Sequence, residues 1–239
     1  MGFLDEHWDK LKPRVPAGVS SNEVVARGFL LPWNHCNADM DVIVQALSIL
    51  KPKVVLELGT FEAFGTVKMA QALNRLRQKS TLYTFDASTN PYNTLGETYG
   101  IPNEDELVKW DEPIDPRFQD SWRSWEDIMK ARDERLANNY KNVKVEFIEG
   151  ITFDTLGPAL KEIGEWDFCF QDTVHHHDFI IREWNLLKPS SMVGSIIVFD
   201  DMNRPHNTAW VDLFRANEPD WDTRHGSGGH EPFWAERIR

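Results

Sequence analysis

Apolar positions along this chain fall into two spacings that alternate. Short, nearly continuous apolar runs occur at 53–58, 81–86, 143–148, 166–171 and 194–200. Between them lie segments whose apolar residues recur every three or four positions. These are 39–50 (Val42, Ile43, Ala46, Leu47, Leu50), 65–78 (Val67, Met69, Ala70, Leu73, Leu76), 121–138 (Trp125, Ile128, Met129, Leu136), 152–163 and 175–187. The first spacing predicts buried strands and the second predicts amphipathic helices. Asp39 is placed to cap the first helix, and Pro52 ends it. The resulting order, strand and helix in strict alternation, predicts an α/β fold with a doubly wound, mostly parallel sheet covered by helices on both faces. A short helix at 207–216 and a glycine-rich turn at 226–229 complete the pattern.

Two stretches break this rhythm. Residues 1–38, with Trp8, Pro13, Pro16 and Trp33, read as an irregular N-terminal arm that wraps the body or helps cover a site. Residues 90–140 hold Pro91, Gly96, Gly100, Pro102, Pro113 and Pro116 together with Trp110, Trp122 and Trp125. That is too long for an ordinary connection, and its aromatic residues favour an ordered, lid-like insertion over a linker. With 239 residues, the chain suits a single domain spanning 1–239 that contains both features.

Charge and cysteine content narrow the partners. Asp and Glu number 38 against 26 Lys and Arg, a net charge of −12, which disfavours nucleic acid and anionic membrane surfaces. No apolar run approaches the roughly 18 residues of a membrane span. The mixed polar start, Met1 to Glu6, is unlike a signal peptide, so a cytoplasmic protein is the expectation. Cys36 and Cys169 do not form a disulfide framework, and Cys169 lies in a strand pattern as a buried thiol.

Chemistry concentrates at the ends of the strands. Residues 54–66 pass from an apolar run through Glu57 into a small-residue turn, Gly59 to Gly65, and then into a helix. A strand, a tight turn and a helix in this order suit a nucleotide-like ligand, and Gly59 lets backbone approach it closely. Phe61 stands where a diphosphate-binding turn has its second glycine. The ligand expected here therefore lacks a diphosphate and tolerates an acid. Each later strand also ends in an acid: Asp86, Glu149, Asp172, and the pair Asp200 and Asp201. Ligands in such sheets sit beyond these carboxyl ends. Asp86 can accept both hydroxyls of a ribose, or serve as a helix N-cap followed by Ser88 and Thr89. Asp172, Asp200 and Asp201 come from neighbouring strand ends, where three carboxylates repel unless a cation lies among them. An all-oxygen set favours Mg²⁺, with Mn²⁺ or Ca²⁺ as substitutes, although Asp201 could instead cap the following segment. His175, His176 and His177 follow. Steps of about 100° on a helix keep them from facing one way, and they lack the i, i+4 spacing of helical zinc ligands. His175 is the best placed to reach the site. His206, His225 and His230 could line an acceptor pocket.

The run Glu57-Leu58-Gly59-Thr60-Phe61-Glu62-Ala63 resembles the first motif of class I S-adenosylmethionine-dependent methyltransferases, in the version found in small-molecule O-methyltransferases, with Ala63 in place of its last glycine. The resemblance extends over about 39–202 and implies a Rossmann-like methyltransferase fold. It implies S-adenosylmethionine bound by Glu57, Gly59, Thr60, Phe61, Gly65 and Thr66, by Asp86 at the ribose, by Glu149, Gly150 and Ile151 near the adenine, and by Asp172. The acids on strands four and five resemble the metal sites of catechol-type enzymes, although Asp201 stands where those have Asn. The paired acids look more like those of macrolide-sugar and cephalosporin-type enzymes of natural-product biosynthesis. In the sugar enzymes the Asp-x-x-His pattern of Asp172 and His175 makes the histidine a general base. The expectation is a Mg-dependent O-methyltransferase acting on a small hydroxylated acceptor, with Asp172 and His175 catalytic. Dimers are common in such enzymes, which leaves a homo-oligomer open. The alternatives are a nicotinamide-dependent Rossmann oxidoreductase and a non-catalytic S-adenosylmethionine-binding protein.

Overall fold

Helices and strands form where the two spacings place them. The computed structural model describes residues 2–11, 36–87, 125–173, 176–200, 202, 205–225 and 232–239. In chain order the elements are α1 (Phe3–Leu11), α2 (Cys36–Leu50), β1 (Val54–Leu58), α3 (Phe64–Arg75), β2 (Ser80–Asp86), α4 (Trp125–Leu136), β3 (Val143–Glu149), α5 (Thr152–Ile163), β4 (Trp166–Gln171), α6 (His177–Leu187), β5 (Ser191–Phe199), α7 (Pro205–Asn217), β6 (Trp221–His225) and β7 (Phe233–Arg237). Among the described residues seven strands form one sheet, in the order β3-β2-β1-β4-β5-β7-β6. Strands β1 to β5 are parallel, and β7 pairs antiparallel with both β5 and β6.

Strand periodicity sorts the core into two layers. Leu56, Leu58, Ile197 and Phe199 point to one face, where they meet Leu156, Leu160, Ile180, Trp184, Trp210 and Phe214 of α5, α6 and α7. Val55, Phe168, Phe170, Ile196 and Val198 point to the other, against Leu4, Leu11, Ile43, Leu47, Met69 and Leu73 of α1, α2 and α3. This face-by-face alternation is the geometry of a strand with helices above and below it. Four tryptophans, Trp166, Trp184, Trp210 and Trp221, join Phe199, Phe214 and Phe233 in the first layer through edge-on and stacked contacts.

Several expectations change. Residues 3–11, taken as irregular arm, form α1. Glu236 of β7 holds its first turn, accepting from the backbone N–H of Phe3 at 2.6 Å and of Leu4 at 2.8 Å. Helix α2 starts at Cys36, which puts Asp39 inside the helix and away from the cap position. The helix expected at 175–187 begins at His177. The five-strand parallel reading lacked the β6–β7 pair, which adds an antiparallel edge. The helix expected at 121–138 does form, as α4 over 125–136 within the range read as a lid-like insertion, and it packs against α3 as a crossover helix. The rest of that range from 90 to 124, the arm from 12 to 35, the 226–229 turn and His230 lie outside the described residues. No helix among the described residues is long and apolar enough to cross a membrane.

Candidate functional site

Beyond the carboxyl ends of the strands the hydrogen-bond ladder continues for one more residue, and this ties the loops into a row. Gly150 N–H donates to the Asp86 carbonyl at 2.8 Å, Gly59 N–H to Phe85 at 2.9 Å, Asp172 N–H to Leu58 at 2.8 Å and Asp200 N–H to Gln171 at 3.0 Å. The sheet order reverses direction between β1 and β4, the switch point at which open α/β sheets open a crevice. Asp86 lies on one side of that point, and Asp172 and Asp200 on the other.

Gly59 is pressed into the crevice floor. Its φ is +94°, and a Cβ there would lie 1.9 Å from the Asp172 carbonyl oxygen. No other residue type fits. The turn then holds two non-glycine residues at positive φ, Phe61 at 45° and Ala63 at 59°. Ala63 therefore adopts the left-handed conformation that the missing glycine of the first motif would favour. It does so fully buried, with its N–H donating to the Thr60 carbonyl at 2.6 Å.

Glu57 lies one residue short of the end of β1 and is buried beneath this turn. Its Oε2 accepts from Thr66 Oγ1 at 2.5 Å and Thr84 Oγ1 at 2.6 Å. Thr84 spends its only proton on Glu57, so Thr60, 2.5 Å away, donates to Thr84. Gly65 has no Cβ, which leaves room for Glu57 Oε1, 2.7 Å from where that Cβ would be. Burial raises the Glu57 carboxyl to about 7, against the pull of the two threonine hydroxyls, and the nearby Asp86 charge adds to the rise. Thr60 and Thr66, expected to bind cofactor, thus direct their hydroxyls inward.

Asp86 closes the turn from β2. One oxygen accepts from Phe61 N–H and the other from Ala87 N–H at 2.7 Å. Burial raises its carboxyl, while these N–H groups and the Arg132 guanidinium oppose the rise. A carboxylate offers about four acceptor sites, so two bonds leave capacity for a diol. Across the β2–β3 pair, Asp86 stands opposite Glu149, whose side chain is exposed. Gly150 follows at φ +135° and Ile151 precedes α5 as its N-cap residue.

On the far side of the switch point, Gln171 is in register with Phe199, so Asp172 and Asp200 continue adjacent strands. Asp200 is buried. Asp201 and His175 lie outside the described residues. Among the described residues no group of three His, Cys, Asp or Glu could hold a metal ion. His176 is the N-cap of α6, and its Nδ1 accepts from Asp178 N–H at 3.3 Å. His225 sits exposed on edge strand β6.

Sequence reasoning missed another buried acid of this region, Glu183. Glu183 of α6 accepts from Thr152 Oγ1 at 2.5 Å, Gln171 Nε2 at 2.9 Å and Thr173 Oγ1 at 2.8 Å. It ties the loop after β3 to the residues on both sides of Asp172. Burial raises its carboxyl to about 7, against these three donors. Arg132 and Arg135 of α4 were also missed. Each of the three occurs in an otherwise ordinary amphipathic helix, so no local pattern marked it.

Comparison with known proteins agrees with this geometry. A sequence model described as a methyltransferase domain matches residues 56–202, more than half of the chain. No curated protein matches. Among solved structures, the fold is similar to the O-methyltransferase TomG from Streptomyces achromogenes in complex with S-adenosylmethionine (16% identity, TM-score 0.54, 84% of this chain and 80% of that one). It is also similar to an O-methyltransferase from Bacillus cereus in complex with S-adenosylhomocysteine (15%, 0.52, 99% and 90%), and to CalS11, a TDP-rhamnose 3'-O-methyltransferase of calicheamicin biosynthesis (15%, 0.56, 97% and 93%). The chain belongs to the methyltransferase-domain family and is built on the fold of class I S-adenosylmethionine-dependent methyltransferases.

Proposed function

We propose that this protein transfers the methyl group of S-adenosylmethionine to a hydroxyl of a small acceptor at a site that takes a divalent cation, Mg²⁺ by preference. The observation that supports this most is the placing of Asp86 on one side of the switch point and of Asp172 and Asp200 on the other. The first position suits a ribose. The second pair fits a hard cation, because the donors are carboxylate oxygens on adjacent strand ends and one of them is buried. The neighbours named above are O-methyltransferases, and the hydroxyl acceptor is carried over from them.

In this reading Asp86 accepts the ribose hydroxyls. The turn from Gly59 to Phe61, with Gly65 and Thr66 behind it, backs the methionine end, and Glu57 beneath it supplies negative charge toward the sulfonium once it is ionised. Glu149, Gly150 and Ile151 flank the adenine. Asp172, Asp200 and Asp201 would hold the cation. Such a cation, when bound, would lower the pKa of the acceptor hydroxyl and fix its direction. His175 takes the proton as the acceptor oxygen forms its bond to the methyl carbon and the carbon–sulfur bond breaks, leaving S-adenosylhomocysteine. Most of the acceleration then comes from alignment and charge.

Calorimetric titration of S-adenosylmethionine and S-adenosylhomocysteine, with Mg²⁺ and then with EDTA, tests the cofactor, and micromolar binding is expected. Absence of binding in both conditions would overturn the reading. Asp172→Ala should abolish Mg-dependent turnover on a hydroxylated acceptor, and full activity in that variant would remove the metal assignment. His175→Ala should slow turnover and flatten its pH profile near neutrality. An unchanged profile would show that another group takes the proton. Tight cofactor binding with no transfer to any hydroxylated acceptor would favour a non-catalytic member of the family.

A further inference from the structure

Helix α4 carries two arginines one turn apart, and both reach the cofactor corner. Arg135 Nη1 donates to the Glu62 carbonyl at 2.7 Å and to Glu62 Oε2 at 2.8 Å. Glu62 lies between Phe61 and Ala63, the two residues held at positive φ. Such a turn persists only where its surroundings hold it, and Arg135 grips it at its middle carbonyl. Arg132 is 5% exposed. Its Nη1 points to the Ala87 carbonyl at 3.4 Å, its Nε donates to Asp133 at 3.1 Å, and its guanidinium lies 4.3 Å from the centre of the Phe147 ring. Ala87 directly follows Asp86 and donates its own N–H to that carboxylate. The two arginines therefore brace the two backbone segments that Asp86 bridges, one at the end of β1 and one at the end of β2.

We propose that Arg132 and Arg135 are positioning residues for the cofactor, holding Asp86 and the Phe61–Ala63 turn in the geometry that receives the ribose, so that the docking of α4 sets cofactor affinity. The inference rests on the reading of Asp86 as the ribose acceptor. Neither arginine needs to touch the ligand. Arg132 acts by keeping a positive charge near the half-buried Asp86 carboxylate and by fixing the backbone that follows it. Arg135 acts by keeping Phe61 N–H aimed at the same carboxylate.

The test is calorimetric affinity for S-adenosylmethionine in Asp86→Asn, Arg132→Met, Arg132→Lys, Arg135→Met and the double variant Asp86→Asn/Arg132→Met, with circular dichroism to confirm folding. Arg132→Met should weaken binding about tenfold, a coupling of the size found between groups in contact, and Arg132→Lys should recover part of it by keeping the charge. Arg135→Met should weaken binding by a smaller factor, and it carries the test if Arg132→Met fails to fold. The double variant should bind no more weakly than Asp86→Asn alone, because both changes remove one arrangement. Unchanged affinity in folded Arg132→Met and Arg135→Met, with Asp86→Asn weakened, would overturn the inference and leave Asp86 as the ribose acceptor. Fully additive losses in the double variant would also overturn it. Unchanged affinity in Asp86→Asn would overturn the ribose reading itself.

Discussion

Gly59 and Ala63 stand four residues apart at positive φ and carry opposite expectations. At Gly59 a methyl group would collide with the Asp172 backbone at 1.9 Å, so Gly59→Ala should force β1 and β4 apart at their tips. We expect a loss of several kcal/mol in denaturant unfolding, beyond ordinary glycine effects, together with loss of cofactor binding. Ala63→Gly relieves a left-handed alanine, worth about 1–2 kcal/mol, but removes a buried methyl and loosens the unfolded chain. It should stay within about 1 kcal/mol of wild type. A large loss there would show that the methyl, not the backbone, matters. The buried carboxyls make a second prediction. Glu57 and Glu183 are raised from 4.5 to about 7 by burial, so between these values the folded chain holds protons that the unfolded chain has released. Stability should therefore fall as pH rises through that window, with the whole cost, of order a few kcal/mol per group, present above about 7. Melting temperatures from pH 5 to 8 should decline, and Glu183→Gln should flatten the decline. An equal slope in that variant would place the linkage elsewhere. Gly59, Glu57 and Asp86 were legible in the sequence because a turn or strand end marks each of them. Glu183, Thr84 and Arg132 were not, because their partners are distant in the chain and nothing local distinguishes them from core or surface positions.

Among the elements, α1 depends on a distant anchor. Glu236 is buried and places both oxygens on the first N–H groups of α1, where the helix dipole also favours a negative charge. Asp5 adds an outer tie, accepting from Arg224 Nη2 of β6 at 2.6 Å. Glu236→Ala should cost about 2 kcal/mol and, more tellingly, raise hydrogen exchange in residues 3–11. Unchanged protection there would show that the apolar contacts of Leu4 and Leu11 suffice. The sequence read these residues as irregular because the prolines that follow dominated the stretch, and nine residues are too few for periodicity to stand out. The β6–β7 pair escaped for a related reason. Trp221–His225 and Phe233–Arg237 are short, mix charge with aromatic residues and come after the strand–helix alternation has ended. The parallel strands were legible because both of their faces are covered, which makes them continuous apolar runs.

At the level of the whole molecule the site follows from topology. A parallel sheet that reverses its strand order creates one crevice, and the acids at the strand ends had to gather along it. That is why the location could be read before the contacts could. The second layer of support, from α4 through its arginines and from α6 through Glu183, became visible only in three dimensions. One further consequence concerns the order of assembly. Helix α1 finds its cap more than two hundred residues later, at a separation of 233 for Phe3 and Glu236, and β7 inserts between β5 and β6. Until residues 233–237 leave the ribosome, β5 has an open edge and the face awaiting α1 lacks its cover. Until then the open edge of β5 is exposed to wrong strand pairing, and closing the sheet and seating α1 become a single event.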